Sequence, residues 1–378
     1  MKILQINASY KPAFIYGGPT MSVSILAEQL AKAGVWVNVV TTTANGVNEL
    51  PVELNTPVIV DGVKTIYFKR ITKDHTHLSP SLLAYVWRNA KEYDAIHIHA
   101  WWNLVSVLSC LVAIMRKVPV VVSPRGTLSN YSFNNKNSGS KNIIHAVLGR
   151  PLLRKCYIHT TSDNESSAVN SIIRSKGSFN IPNFIALGAN APQLENGQDE
   201  YLRLLYLSRI EEKKGLDILL DALKTVTVPY KLTIAGDGNP DYVNHLKGIA
   251  EKNNISDKIS WIGFQQENKF DVLREHDLFI LPSHDENFGN VVIESLSVGT
   301  PVLISENVGL ADYVKETGMG WICQTNAASV SNAINAIADH KDMLEAIREY
   351  APGKIEKDFD ESKLVQQYID MYDKIMIS

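Results

Sequence analysis

Several groups of polar residues in this chain have the types and spacing of an anion-handling site. Glu286 and Glu294 stand eight residues apart within the stretch LFILPSHDENFGNVVIESLSVGTPVLIS, residues 278–305. The pattern predicts a loop for the first and a helix for the second, so both can face one crevice. Between them Asn287 leads into the turn Phe288–Gly289–Asn290, and the helix that opens there offers free N–H groups and a partial positive charge to an anion. Arg209 and Lys214 are five residues apart. Arginine grips a phosphate as a bidentate fork and lysine acts as a point charge, a pairing suited to a diphosphate. The plainer alternative is a surface ion-pair cluster with Glu211 and Glu212. Gly17 and Gly18 are adjacent, so their amides can approach a phosphate with no Cβ in the way, or simply make a tight turn. His97 and His99 alternate on one strand with Trp101 and Trp102 just beyond it. Their spacing shows no third metal ligand, and a buried, hydrogen-bonded histidine is the common reading of such a pair. The tryptophans can stack on sugar faces or fill a wall. Arg125 in SPRGTL sits at the end of an apolar run, placed for phosphate, an acidic acceptor or a structural salt bridge.

Elements that place these residues follow from the apolar pattern. Short apolar runs predict buried parallel strands over 2–7, 35–41, 63–69, 95–100, 118–123 and 156–161. Amphipathic periods predict helices over 20–33 and 81–91. A second series of strands follows at 202–207, 231–235, 259–262, 278–281, 302–304 and 321–324. A helix is expected over 327–350 and another over 359–375. Strand, loop and helix in alternation mean doubly wound α/β sheets, whose ligands lie at the carboxyl ends of the strands. No G-x-G-x-x-G fingerprint occurs, which disfavours a nicotinamide oxidoreductase. Residues 131–142 are polar and read as a loop. A basic amphipathic segment over 143–156, with Arg150, Arg154 and Lys155, Lys141 just before it and a break at Pro151, suits an anionic surface or a solvated core helix.

The chain of 378 residues is long enough for two cores. Its net charge of −3 conceals an asymmetry: residues 1–185 hold 19 Lys+Arg against 9 Asp+Glu, and the remainder holds 18 against 31. A basic half joined to an acidic half points to two domains with different partners. The expected division is 1–189 for the first domain, joined by a returning C-terminal helix 360–378, and 190–359 for the second, with 190–200 as linker. Three scattered cysteines form neither a disulfide framework nor a metal spacing. The N-terminal residues lack a signal-peptide shape, and the longest apolar run, residues 104–115, is short of the ~20 needed to span a bilayer. The expected location is the cytoplasm, free or peripheral at the inner face of the cell membrane.

The string PSHDENFGNVVIESLSVGTPV resembles the E-x7-E motif of the family 4 retaining glycosyltransferases. R-x4-K-G at Arg209–Gly215, A-G-D-G at residues 235–238, H-x-H at 97–99 and the S-P-R-G form at 123–126 resemble further motifs of that family. The likeness runs along almost the whole chain and is denser in the second half. At residues 182–184 the family's P-N-G is departed from, with Phe184 in place of glycine. The resemblance implies the α/β GT-B fold, two Rossmann-like doubly wound domains facing across a cleft. It implies that Glu286 contacts donor-sugar hydroxyls and Glu294 the ribose, that Arg209 and Lys214 neutralise the departing diphosphate, and that His99 lies near the donor sugar or phosphate. It places Gly17 and Gly18 by the diphosphate, and the catalytic set is Arg209, Lys214, Glu286 and His99. The substrate-binding set is Gly17, Gly18, Arg125, Asn287, Phe288, Gly289, Asn290 and Glu294.

The activity so implied is retaining transfer of a hexose from a nucleotide-diphosphate sugar to a polysaccharide or lipid-linked saccharide. Glucose is the leading sugar and UDP the leading carrier. No metal and no cofactor is expected: such enzymes generally lack a bound metal, and this chain has no Asp-x-Asp pair. The expected partners are the donor, a saccharide or lipid-linked acceptor and the membrane surface, with no nucleic acid. A GT-B nucleotide-sugar epimerase, a GDP-sugar-dependent mannosyltransferase and a silent sugar-nucleotide-binding protein remain open alternatives.

Overall fold

A computed structural model of the chain describes residues 1–129, 148–188, 200–265 and 267–377. It divides into two units, Met1–Phe184 with Glu361–Ser378, and Ile185–Asp360. The division falls five residues before the expected boundary at 189/190, and most of the expected linker lies outside the described residues. The reason is packing: Ile185 is buried in the second unit's core, and Gly188 N–H donates to Ser297 Oγ at 3.0 Å.

In the first unit the strands are β1 (Lys2–Ile6), β2 (Trp36–Thr42), β3 (Ala44–Asn45), β4 (Asn48–Glu49), β5 (Pro57–Val60), β6 (Val63–Phe68), β7 (Ala95–His99), β8 (Val120–Ser123), β9 (Tyr157–Thr160) and β10 (Gly177–Asn180). The described main sheet runs β10-β9-β8-β7-β1-β2-β6-β5, parallel throughout except β5 against β6. β3 and β4 form a separate hairpin. Side chains alternate across the sheet, yet both faces are apolar. Leu4 and Ile6 enter one core with helices Pro80–Asn89 and Leu104–Met115. Ile3 enters the other with helices Gly18–Lys32 and Glu361–Ile377. Burial on both sides is why these strands are almost continuously hydrophobic. The apolar run at 104–115 is therefore a core helix, and no described helix is long and apolar enough to cross a membrane.

The second unit holds β11 (Leu202–Leu207), β12 (Tyr230–Ala235), β13 (Ile259–Gly263), β14 (Leu278–Leu281), β15 (Val302–Ser305) and β16 (Gly320–Cys323). Their order is β13-β12-β11-β14-β15-β16, all parallel. The single helix expected over 327–350 is instead two, Ala327–Ala338 and Lys341–Asp358, broken at Asp339–His340. Leu344, Ile347, Ala351 and Ile355 of the second helix join the same core, so packing redirects the chain where the apolar period alone reads as continuous.

Both sheets reverse their direction of winding once. In the first unit the chain builds outward from β1 through β2, then returns to place β7 on β1's other side. In the second, β12 and β14 flank β11 in the same way. At such a switch point the loops after the two flanking strands part and leave a crevice at their carboxyl ends. Those ends carry the residues after β1 and β7 in one unit, and after β11 and β14 in the other. The loop expected over 131–142 and the first five residues of the basic segment expected over 143–156 lie outside the described residues. The segment's end is the short helix Arg150–Leu153, with Arg150, Arg154 and Lys155 exposed.

Candidate functional site

In the second unit the crevice is built by two loops locked together through their backbones. After β11, Ser208 N–H donates to Ala235 O at 3.1 Å and Ile210 N–H to Asp237 O at 2.9 Å, which fixes Arg209 between them. The fit is close enough that a Cβ on Gly236 would lie 1.9 Å from Ser208 O. Only glycine permits this approach, so the A-G-D-G turn is a positioning device. The chain then makes a short turn through Lys214 to Gly215, which has φ +69°. A Cβ on Gly215 would meet Pro282 O at 2.2 Å, so this turn is pressed against the loop after β14. His284 N–H donates to Lys213 O at 2.9 Å across the same seam. Glu286 is held by its N–H to Asn307 O at 3.1 Å and by Gly309 N–H to its carbonyl at 2.8 Å.

The seam brings opposite charges into register. Lys213 Nζ lies 2.7 Å from Asp285 Oδ2, and Lys214 Nζ bonds Glu286 Oε2. Both members of the Lys214 pair are mostly buried. Burial works to raise the Glu286 carboxyl, but the charge and hydrogen bond of Lys214, with Lys213 and Arg209 behind it, prevail and hold it below the usual carboxylate range. Arg209 Nη1 pairs with Glu211 Oε1 at 2.7 Å in a far more exposed setting. The ion-pair alternative is thus realised for Arg209 beside its place on the crevice.

Beyond Glu286, Gly289 adopts φ +92° and starts the helix Asn290–Ser297. Its missing Cβ would sit 3.0 Å from Val308 Cγ1. The Phe288 side chain is buried in the core, edge-on to Phe359 at 6.3 Å between ring centroids. As a side-chain substrate contact it is corrected: the ring belongs to the core. Glu294 reaches Lys269, 2.6 Å away, a partner that sequence reasoning missed.

In the first unit the expected histidines lie at the carboxyl end of β7 with their rings 4.2 Å apart. Hydrogen-bond directions fix their protons. Ile181 O can only accept, so His159, 2.9 Å away, carries its proton on Nε2. Its bare Nδ1 then accepts from Ser123 Oγ at 2.6 Å, and Ser123 in turn accepts from His97 Nε2 at 2.6 Å. His97 Nδ1 accepts from Tyr372 O–H at 2.7 Å. Burial first, then the neighbouring imidazoles and the Arg125 guanidinium, which disfavour a further positive charge, keeps these rings neutral: His159 is pushed down to about 3, and His97 and His99 well below their ordinary value. His99 Nδ1 accepts from Arg125 Nε at 3.3 Å, so its proton is on Nε2, which is buried and has no partner in the described chain. His99 is therefore a fixed N–H donor rather than a base.

Arg125, with φ +52°, is mostly desolvated, and burial lowers its guanidinium from the ordinary range. It bonds Ser22 Oγ at 2.8 Å and Asn183 Oδ1 at 2.9 Å. The structural salt bridge is not what holds it: its hydrogen-bond partners are neutral. Glu165 instead anchors the adjacent backbone, accepting from Gly126 N–H at 2.8 Å and Thr161 N–H at 2.9 Å. Trp101 is wholly buried, so it fills the core. Trp102 Nε1 donates to Thr127 O at 2.5 Å. Of the glycine pair, Gly17 N–H is already donated to Phe14 O at 2.9 Å, a correction to its expected role as a phosphate donor. Gly18 begins the helix Gly18–Lys32, where N–H groups are open. Lys213, Asp285 and Lys269 went unmarked by motif reasoning, although the doublets Lys213–Lys214 and Asp285–Glu286 are a visible signal. Asn183 lay in the P-N-G-like segment without being marked as a site residue, and Ser22, Tyr368 and Tyr372 had no signal.

Comparison with known proteins gives two family matches, "Glycosyltransferase Family 4" over residues 16–171 and "Glycosyl transferases group 1" over residues 191–354. An uncharacterized glycosyltransferase of Methanocaldococcus jannaschii is 23% identical over 98% of each chain. An amylovoran biosynthesis glycosyltransferase of Erwinia amylovora is 30% identical over 38% of this chain and 37% of its own. The crystal structure of Anabaena HepE in complex with UDP and glucose superposes with a TM-score of 0.76 at 20% identity, covering 99% of this chain and 100% of that one.

Proposed function

The chain belongs to the family 4 glycosyltransferases and has their GT-B fold, and from that premise we propose that it moves a hexose from a UDP-sugar to a growing polysaccharide or lipid-linked saccharide with retention at the anomeric carbon. The observation that carries this reading is the seam of the second unit. Lys214, Lys213 and Arg209 gather beside Glu286 at the carboxyl ends of β11 and β14. When the bond between the anomeric carbon and the diphosphate oxygen breaks, its electron pair stays with that oxygen. Cations already in place stabilise the charge as it develops, without reorganising water. The Asn290–Ser297 helix start adds its partial positive charge. The acceptor hydroxyl bonds to the anomeric carbon and its proton passes to the leaving phosphate. These cations supply the charge a metal would bring, so we read the reaction as metal-independent and needing no cofactor. Glucose is the leading sugar, since the HepE structure holds UDP and glucose.

His99 suits an acceptor oxygen on the substrate, and Arg125 an anionic group. Exposed Arg150, Arg154 and Lys155 favour a peripheral position at the cytoplasmic membrane face, toward a lipid-linked acceptor. The test is a thermal-shift series with UDP, GDP, ADP and their hexose conjugates, followed by product assay. Stabilisation by UDP and UDP-glucose, with UDP release that requires a saccharide acceptor, is the expected result. Preference for GDP replaces UDP-glucose with a mannosyl donor. Turnover of a UDP-sugar with no acceptor makes the protein an epimerase.

A further inference from the structure

Each of the three cations on the crevice of the second unit already has a carboxylate from its own chain. The pairs are Arg209–Glu211, Lys213–Asp285 and Lys214–Glu286. They differ in solvent access. Side chains of the Arg209 pair are 48% and 43% exposed, and those of the Lys214 pair 12% and 19%. An exposed pair is weak and rearranges freely. A desolvated pair separates only when each member finds a new partner, because a buried charge left alone is costly.

A diphosphate can replace Glu286 at Lys214. Glu286 is then a mostly buried carboxylate that needs hydrogen-bond donors. Sugar hydroxyls are such donors, and a bare nucleoside diphosphate brings none to this position. We propose that Glu286 is an internal competitor of the phosphate: it releases Lys214 only when a sugar is present to occupy it, and its return to Lys214 after transfer expels the spent nucleoside diphosphate. The inference rests on the nucleotide-sugar reading above. The backbone allows the exchange to be a side-chain event. The Lys214 turn is pressed on Pro282, Lys213 O accepts from His284 N–H, and Glu286 is held on both sides by Asn307 and Gly309. Lys213–Asp285 closes the same seam and stays intact while the neighbouring pair opens.

Calorimetry with UDP and UDP-glucose, and with GDP and GDP-mannose in parallel, tests this at fixed ionic strength. The unaltered chain is expected to bind the sugar conjugate at least about tenfold more tightly than the diphosphate. Glu286→Gln is expected to tighten the bare diphosphate about tenfold, the middle of the range for contacting charged groups, and to erase the preference for the conjugate. Asp285→Asn, the same change of charge one residue away, is expected to tighten it less than about threefold. Equal tightening by both variants would mean bulk charge is responsible, and the inference fails. Unchanged or weaker diphosphate binding in a folded Glu286→Gln protein also overturns it, leaving the nucleotide-sugar reading intact. Glu286→Ser, judged by the same outcomes, serves if the glutamine variant does not fold. An unaltered chain that binds none of the four nucleotides overturns both.

Discussion

Replacing Lys214 by alanine separates an electrostatic role from a structural one, because the two effects have different remedies. Lys214 is largely shielded from solvent, with its side chain 12% exposed. At an effective dielectric of about 20, a unit charge about 4 Å from a developing phosphate charge contributes about 4 kcal/mol. That corresponds to about three decades in rate. Lys213 and Arg209 remain and offset part of the loss, so turnover should fall by roughly 10²–10³-fold. The same change strands Glu286, whose side chain is 19% exposed. A buried charge left without its partner costs on the order of 3 kcal/mol, which lowers the melting temperature of a unit this size by roughly 6–12 °C. Adding Glu286→Gln to Lys214→Ala removes the stranded charge and should restore most of the thermal stability but none of the turnover. Rates are read from acceptor-dependent release of nucleoside diphosphate, and stability from calorimetry of the same preparations. Near-normal turnover in a folded Lys214→Ala protein would refute the assignment. So would recovery of activity in the double variant, which would show that Lys214 served only to neutralise Glu286.

Two further outcomes follow from the geometry. Gly236→Ala places a methyl group 1.9 Å from Ser208 O, so Arg209 must shift; turnover and melting temperature should both fall, whereas Gly248→Ala, in open space on the helix Pro240–Lys252, should be neutral or stabilising by up to about 1 kcal/mol. Acid should destabilise the first unit early. His97, His99 and His159 are held neutral in the fold, but the unfolded chain takes up their protons below about pH 6.5. Their stability is complete above that value and declines as pH falls toward about 3 for His159, at about 1.4 kcal/mol per pH unit for each ring. Hydrogen exchange at pH 7 and pH 5 should show β7, β8 and β9 losing protection; unchanged protection at pH 5 would contradict the buried neutral network.

Much of the site was legible in the chain because its parts are local. Leu202–Leu207 is an apolar run broken only by Arg203, and Arg209, Lys214 and Gly215 follow within a few residues. Strand, loop and helix around Glu286 are likewise set by Gly289 and the apolar period after it. Such signals identify which residues stand at strand ends, and with them the family. Partners are another matter. Lys214 meets Glu286 across 72 positions, and His97 meets Tyr372 across 275. Sheet order makes those pairings: β14 lies beside β11, and the chain's last helix returns to the first unit. No local period encodes that order, since β11 could precede any neighbour with the same apolar strand. The structure alone decided that the site's cations rest against carboxylates of their own chain, that Phe288 belongs to the core, and that Gly17 has already given away its amide. The sequence determined which charges are present; long-range packing determined which of them are already satisfied before a ligand arrives.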